Sequence, residues 1–175
     1  MNWNFTLGDY QLRLPNSEQD VEALMGLLQQ ESLCAHVPCA PLTEVHRVVD
    51  ELRRMAMRFE AREAAFWLAE KDSQLLGRIG LQRINWMQRS AQLQWELTPA
   101  LGLPAMQQVL PALLRFAFDE LNLHRLEMRL VSTSAQDALL QGLGFHFEGV
   151  LPAQLEFMGK DVDLALWSLL KTDLN

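Results

Sequence analysis

Four side chains able to bind a soft metal fall in one stretch, Cys34, His36, Cys39 and His46. Zinc ligands usually pair as C-x2-4-C with H-x3-5-H, whereas here a histidine sits between the cysteines as C-x-H-x2-C. The surrounding LCAHVPCAPL, with Pro38 and Pro41, is apolar and has no period, so it reads as a loop, with a metal site as the rival reading. A second chemical candidate is the bend Pro99-Ala100-Leu101-Gly102-Leu103-Pro104, placed just before a helical run. A glycine turn entering a helix aims backbone N–H groups and the positive end of the helix dipole at one point, which suits an anion. Pro104 has no N–H to give, but its φ fits the first helical position, so the helix tolerates it and one donor is lost. Glu96 lies between Trp95 and Leu97 in an alternating run and takes the face opposite to both, as a solvated sheet residue or as a proton acceptor.

The elements that must hold these residues follow from the hydrophobic period. YQLRL at 10–14 alternates and stops at Pro15-Asn16, a short strand entering a turn. Ser17 and Asp20 form a capping-box pattern ahead of Val21, Leu24, Met25 and Leu28, the apolar stripe of a first helix. Thr43 is placed to cap a second helix whose stripe is Val45, Val48, Val49, Leu52, Met55 and Phe59. Its arginines alternate with Glu44, Asp50, Glu51, Glu60 and Glu63, the pattern of a solvated, ion-paired face. From Ala64 the runs AAFWLAEK, LLGRIGLQRINWM and AQLQWEL read as three strands of an antiparallel meander. Met106 to Leu121 has helical spacing with Pro111 inside it, a site for a kink. HRLEMRLV then reads as a strand, SAQDALLQGLG as a short helix, and FHFEGVL with VDLALWSLL as a closing pair of strands. The order is strand, two helices, three strands, helix, strand, helix, two strands, an α/β layering around one mixed sheet.

Composition narrows the class. The chain has 175 residues, enough to bury a core, and no linker, repeat or low-complexity tract divides it, so residues 1–175 read as a single domain. Fifteen Lys+Arg against 22 Asp+Glu leave a net charge of -7, which argues against nucleic acid and anionic membranes and accommodates an amine-bearing partner. Two cysteines make no disulfide framework, and no run approaches the roughly 18 apolar residues of a membrane span. With no secretory signal at the N-terminus, the expected location is cytoplasmic.

The element order and several local motifs resemble the GNAT superfamily of acyl-CoA-dependent N-acyltransferases. The nearest subgroup is the one that acetylates ribosomal-protein N-termini. The likeness lies in LQWELTP, a glycine-containing loop and LLRFAFDELNLHRLEMRL, then in LGFHFEGVL, Gly159-Lys160, Asp163 and WSLL, and it spans roughly residues 10 to 170. It implies a mixed, mostly antiparallel sheet flanked by helices, with acetyl-CoA as co-substrate and a small-molecule amine or a protein N-terminus as acceptor. In that family the pantetheine arm fills a gap between two splayed strands like an extra strand. Here these are the strands LQWELTP and HRLEMRLV. The resemblance assigns carbonyl polarisation and pantetheine contacts to the backbone of Trp95 and Leu97, and the pyrophosphate to Gly102, Leu103, Pro104 and Ala105.

By the same resemblance Thr133 and Gln136 support the cofactor arm, Glu96 is the general base, directly or through a water, and Ser134 is a candidate acid for the leaving thiolate. His36 falls in the loop that forms part of the family's acceptor pocket and is a substrate contact. The family's loop reads Q/R-x-x-G-x-G/A; this chain keeps Gly102 but has Pro99 and Pro104 at its first and last positions. The family's Asn and Ser after the strand are Thr133 and Gln136 here, and Leu140 stands where many members carry a tyrosine. These departures motivate a second reading, a GNAT fold that has lost catalysis and serves as a binding module. A homodimer through an edge strand is compatible with this architecture.

Overall fold

The computed structural model describes residues 1–174. The first strands, β1 (Phe5–Leu7) and β2 (Tyr10–Arg13), form a hairpin. Helices α1 (Val21–Leu28) and α2 (Val45–Glu60) follow, separated by a two-residue strand β3 (Cys34–Ala35) inside the stretch expected to be a loop. The meander is β4 (Ala65–Lys71), β5 (Gln74–Asn85) and β6 (Ser90–Leu97). Then come α3 (Gly102–Arg115), β7 (Arg125–Leu130), α4 (Ser134–Gly142) and the hairpin β8 (His146–Phe157) and β9 (Lys160–Leu170).

The sheet order is β1-β2-β4-β5-β6-β7-β9-β8. Every neighbouring pair is antiparallel except β6 with β7, which run parallel. That pairing ends at Leu93 opposite Met128, although β6 continues to Leu97. Alternation along the strands builds two cores. Phe66 and Leu68 face Leu24, Leu27, Val48, Leu52 and Met55 of α1 and α2, while Trp67, Ile79, Leu93 and Trp95 face Met106, Val109, Leu113 and Leu140 of α3 and α4. Gly80 stands where a Cβ would come within 2.6 Å of the Phe66 ring, so a side chain there has no room. Among the described residues no helix is long and apolar enough to cross a membrane.

Local signals misplace several helix ends. Ser17 does not cap α1; its N-cap is Asp20, whose carboxylate accepts the Asn16 N–H at 2.6 Å and the Arg13 guanidinium at 2.7 and 2.8 Å. Burial raises the Asp20 carboxyl, but the Arg13 and Asn16 bonds outweigh it and leave it below the usual carboxylate range. Thr43 does not cap α2, which begins after Glu44 without a side-chain cap. Helix α3 starts at Gly102, earlier than the apolar period from Met106 implies, and widens into a π-helical turn at Phe116–Glu120. Pro104 is therefore its third residue rather than its first.

Candidate functional site

Beyond Leu93 the free edge of β6 is not open. Cys34 pairs with Leu97 and Ala35 with Glu96. The His36 N–H then donates to the Trp95 carbonyl at 3.1 Å, and the Val131 N–H donates to the His36 carbonyl at 2.9 Å. Residues 34–36 thus lie between β6 and the end of β7 and are bonded to both. The His36 ring adds Nδ1 at 3.1 Å from the same Trp95 carbonyl, which makes Nδ1 the protonated nitrogen of a neutral ring. Burial lowers the His36 pKa against the opposing pull of nearby Glu96, so the ring is neutral near pH 7.

Beside this segment lies a cleft of about 650 Å³. Cys34, Cys39, Leu103, Thr133, Gln136 and Phe157 are among the residues around it, so the starts of α3 and α4, the 30–39 segment and the β8–β9 hairpin meet there. The structure brings Leu103, Thr133 and Gln136 together at the cleft, while His36 is not among its lining residues and turns its ring to Trp95; Gln136 reaches Trp95 too, its Oε1 accepting the indole N–H at 3.0 Å. Its Nε2 donates to the Val131 carbonyl at 3.4 Å, so both ends of the Gln136 amide are engaged within the protein. Thr133 is the N-cap of α4, its Oγ1 accepting the Gln136 N–H at 3.2 Å. Ser134 is exposed at the first turn of α4 and is not among the residues lining the cleft, although its neighbours Thr133 and Ala135 are.

The α3 start offers fewer donors than its glycine suggests. Gly102 adopts φ 63°, a left-handed value that favours glycine, and its N–H is taken by the Thr98 carbonyl at 3.0 Å. The Leu101 N–H is taken by Thr98 Oγ1 at 3.3 Å, and Pro104 has none. Helical bonding gives the Met106 N–H the Gly102 carbonyl, so Leu103 and Ala105 are the amides left for an anion. No lysine or arginine is among the described residues that line the cleft, and Glu31 is its one carboxylate.

Glu96 occupies the opposite face of β6, toward α2, as alternation requires. It is not a solvated sheet residue: its side chain is 9% exposed and bound twice by Arg78 of β5, Nε to Oε2 and Nη2 to Oε1, both at 3.0 Å. Arg78, 7% exposed, also gives Nη1 to Glu51 of α2 at 2.6 Å, and Glu51 pairs with Arg54 at 2.6 Å. Burial alone disfavours the guanidinium charge, yet the two carboxylates raise the Arg78 pKa and hold it charged. Sequence reasoning treated Glu51 as part of a solvated face and passed over Arg78. The signal was there, since one arginine inside the apolar run LLGRIGL must bury its charge against a partner.

Among the described residues no three His, Cys, Asp or Glu side chains group closely enough to hold an ion, and His46 sits exposed on α2 beside Glu44. Both cysteines are free thiols.

A family model described as an acetyltransferase (GNAT) domain matches residues 10–146. An uncharacterized N-acetyltransferase, YoaA, of Bacillus subtilis (strain 168) is 21% identical over 159 residues, covering 89% of this chain and 90% of its own. The solved structure of RimL, a ribosomal L7/L12 α-N-protein acetyltransferase in complex with coenzyme A, superposes with a TM-score of 0.85 at 16% identity, over 95% of this chain and 97% of that one. A variant of SpeG, a spermidine N-acetyltransferase from Vibrio cholerae, superposes with a TM-score of 0.75 at 20% identity, over 94% and 95%.

Proposed function

The chain belongs to the GNAT acetyltransferase family, and from that premise we propose that it transfers an acetyl group from acetyl-CoA to a primary amine, borne by a small molecule or a protein N-terminus. The observation that carries this reading is the parallel pair β6–β7, which parts beyond Leu93 and Met128 beside a cleft of about 650 Å³ at the starts of α3 and α4. RimL and SpeG act on a protein α-amine and on spermidine, which supports an amine acceptor. A cytoplasmic setting suits two free thiols.

Leu103 and Ala105 supply amides toward the diphosphate, and the cleft wall at Thr133 and Gln136 lies along the arm of the coenzyme. Amine attack needs the ammonium deprotonated, and Glu96 is a carboxylate on the part of β6 that runs on beyond Leu93, where the strands part. Arg78 keeps it ionised and fixes its orientation, while each oxygen retains a second lone pair through which a water can relay the proton. Glu96→Gln is expected to lower turnover by roughly 100-fold or more with little change in acceptor KM. Label transfer from radiolabelled acetyl-CoA to a free-amine peptide and to spermidine, with an N-blocked peptide as control, measures it. Full activity in Glu96→Gln removes the carboxylate from the proton path, and no transfer by the unaltered chain to any amine refutes the proposed reaction.

A specific observation favours a second reading, a catalytically inert binding module. With the amides of Leu101 and Gly102 bound to Thr98, proline at 99 and 104, and no cation among the described residues around the cleft, a polyanionic nucleotide would be held weakly. The same label-transfer assay separates the two.

A further inference from the structure

The edge of β6 that an extended acyl carrier would pair with is already paired. Three consecutive residues of the chain, Cys34, Ala35 and His36, run antiparallel along Leu97, Glu96 and Trp95, and His36 hands the ladder on to Val131 just past β7. With residues 34–36 in place the gap does not fit a pantetheine, because the main-chain groups along it are paired within the protein. We propose that Cys34–His36 is a displaceable internal strand that closes this gap and must withdraw before an acyl carrier can bind. The proposal rests on the acyl-transfer reading above.

The segment is built to be released. Its ladder is two residues long, where strands that hold by themselves run about five or six. Cys34 and Ala35 are small and half-buried, Cys34 resting against the main core, and among the described residues no side-chain hydrogen bond or ion pair ties either of them down. Among the described residues, the one side-chain tether is the His36 ring on the Trp95 carbonyl. Cys34, Ala35 and Val37 border the large cleft, so the space into which the strand can move adjoins the space a ligand would enter. Pro38 and Pro41 on the following side keep the flanking chain from extending the ladder. A half-buried segment paired over so few residues opens locally at low cost. A closed majority state reduces apparent affinity by the fraction that is open, so loosening the strand strengthens binding without touching a ligand contact.

Hydrogen exchange on the full chain tests this, with coenzyme A as the probe. In the free protein the His36 amide is expected to be protected by its bond to Trp95, and saturation with coenzyme A is expected to remove that protection. His36→Pro deletes the same N–H and the ring tether together; it is expected to bind coenzyme A about tenfold more tightly in a calorimetric titration. Binding by His36→Pro where the unaltered chain shows none supports the proposal as well. Coenzyme A bound to the unaltered chain with His36 still protected overturns it and leaves the acyl-transfer reading standing. Absence of binding by both proteins overturns the proposal and the acyl-transfer reading with it.

Discussion

Arg78→Ala is expected to lower the midpoint of thermal unfolding by roughly 6 to 20 °C. The side chain is 7% exposed and makes three charged hydrogen bonds, two to Glu96 and one to Glu51. Its removal strands the Glu96 carboxylate between β6 and α2 with no donor, and breaking a buried pair in this way costs about 3 to 5 kcal/mol. A protein of this size loses about 2 to 4 °C for each kcal/mol. Arg54 sets the contrast: it pairs with the same Glu51 at 2.6 Å but is 65% exposed, so Arg54→Ala is expected to cost at most about 1 kcal/mol. Arg78→Met combined with Glu96→Leu, which removes both charges and keeps volume, should recover much of the loss. Scanning calorimetry on these variants decides the matter, and an Arg78→Ala midpoint within a degree of the unaltered chain contradicts the buried pair.

Pro104→Gly is expected to tighten coenzyme A binding by roughly tenfold or more. Leu103 and Ala105 are the amides that the α3 start keeps available, and a glycine at 104 would place a third N–H between them. A hydrogen bond to a charged group is worth about 1.5 to 3 kcal/mol, or roughly 10- to 150-fold in affinity. Glycine also removes the fixed φ of proline, which loosens the first turn and places the result toward the lower end of that range. The readout is a calorimetric titration of both proteins at one salt concentration. Equal affinities would mean that the diphosphate does not lie on this helix start.

The two predictions bear on different faces of β6, and both faces were partly legible in the residues. Alternation placed Glu96 opposite Trp95 and Leu97, and the helical and strand periods gave the element order from β2 to β9. The meander was readable because LLGRIGLQRINWM and AQLQWEL are long enough to show a period. Strand β3 was not, since two residues carry no period and the neighbouring Pro38 and Pro41 signal a loop. Its pairing partner lies some sixty positions away, so only the assembled sheet creates the strand. Two helix starts failed for another reason. Ser17 and Thr43 are good caps by residue type, but Asp20 takes the first position, held by the Asn16 N–H and by Arg13 of β2, and α2 begins after Glu44 with no side-chain cap. Arg78 was readable and was passed over, because its meaning lay in being the lone charge in an apolar run.

The departures at the cofactor loop keep their weight. Pro99, Pro104, Thr133, Gln136 and Leu140 were visible as deviations from the pattern the chain resembles, and the structure adds that the Gln136 amide and the Gly102 N–H are spent inside the protein. A weak grip on the coenzyme is the physical consequence expected, and the strand proposed at Cys34–His36 would weaken it further in its closed position.

Thermal unfolding across a series of acetyl-CoA concentrations up to millimolar tests the central claim most directly. If the cleft beside β6 takes the acyl donor, the midpoint climbs with the logarithm of concentration; at 100 times the dissociation constant the gain is about 2.7 kcal/mol, or roughly 5 to 10 °C. A midpoint that stays flat to millimolar acetyl-CoA would contradict the account and leave the fold without the reaction.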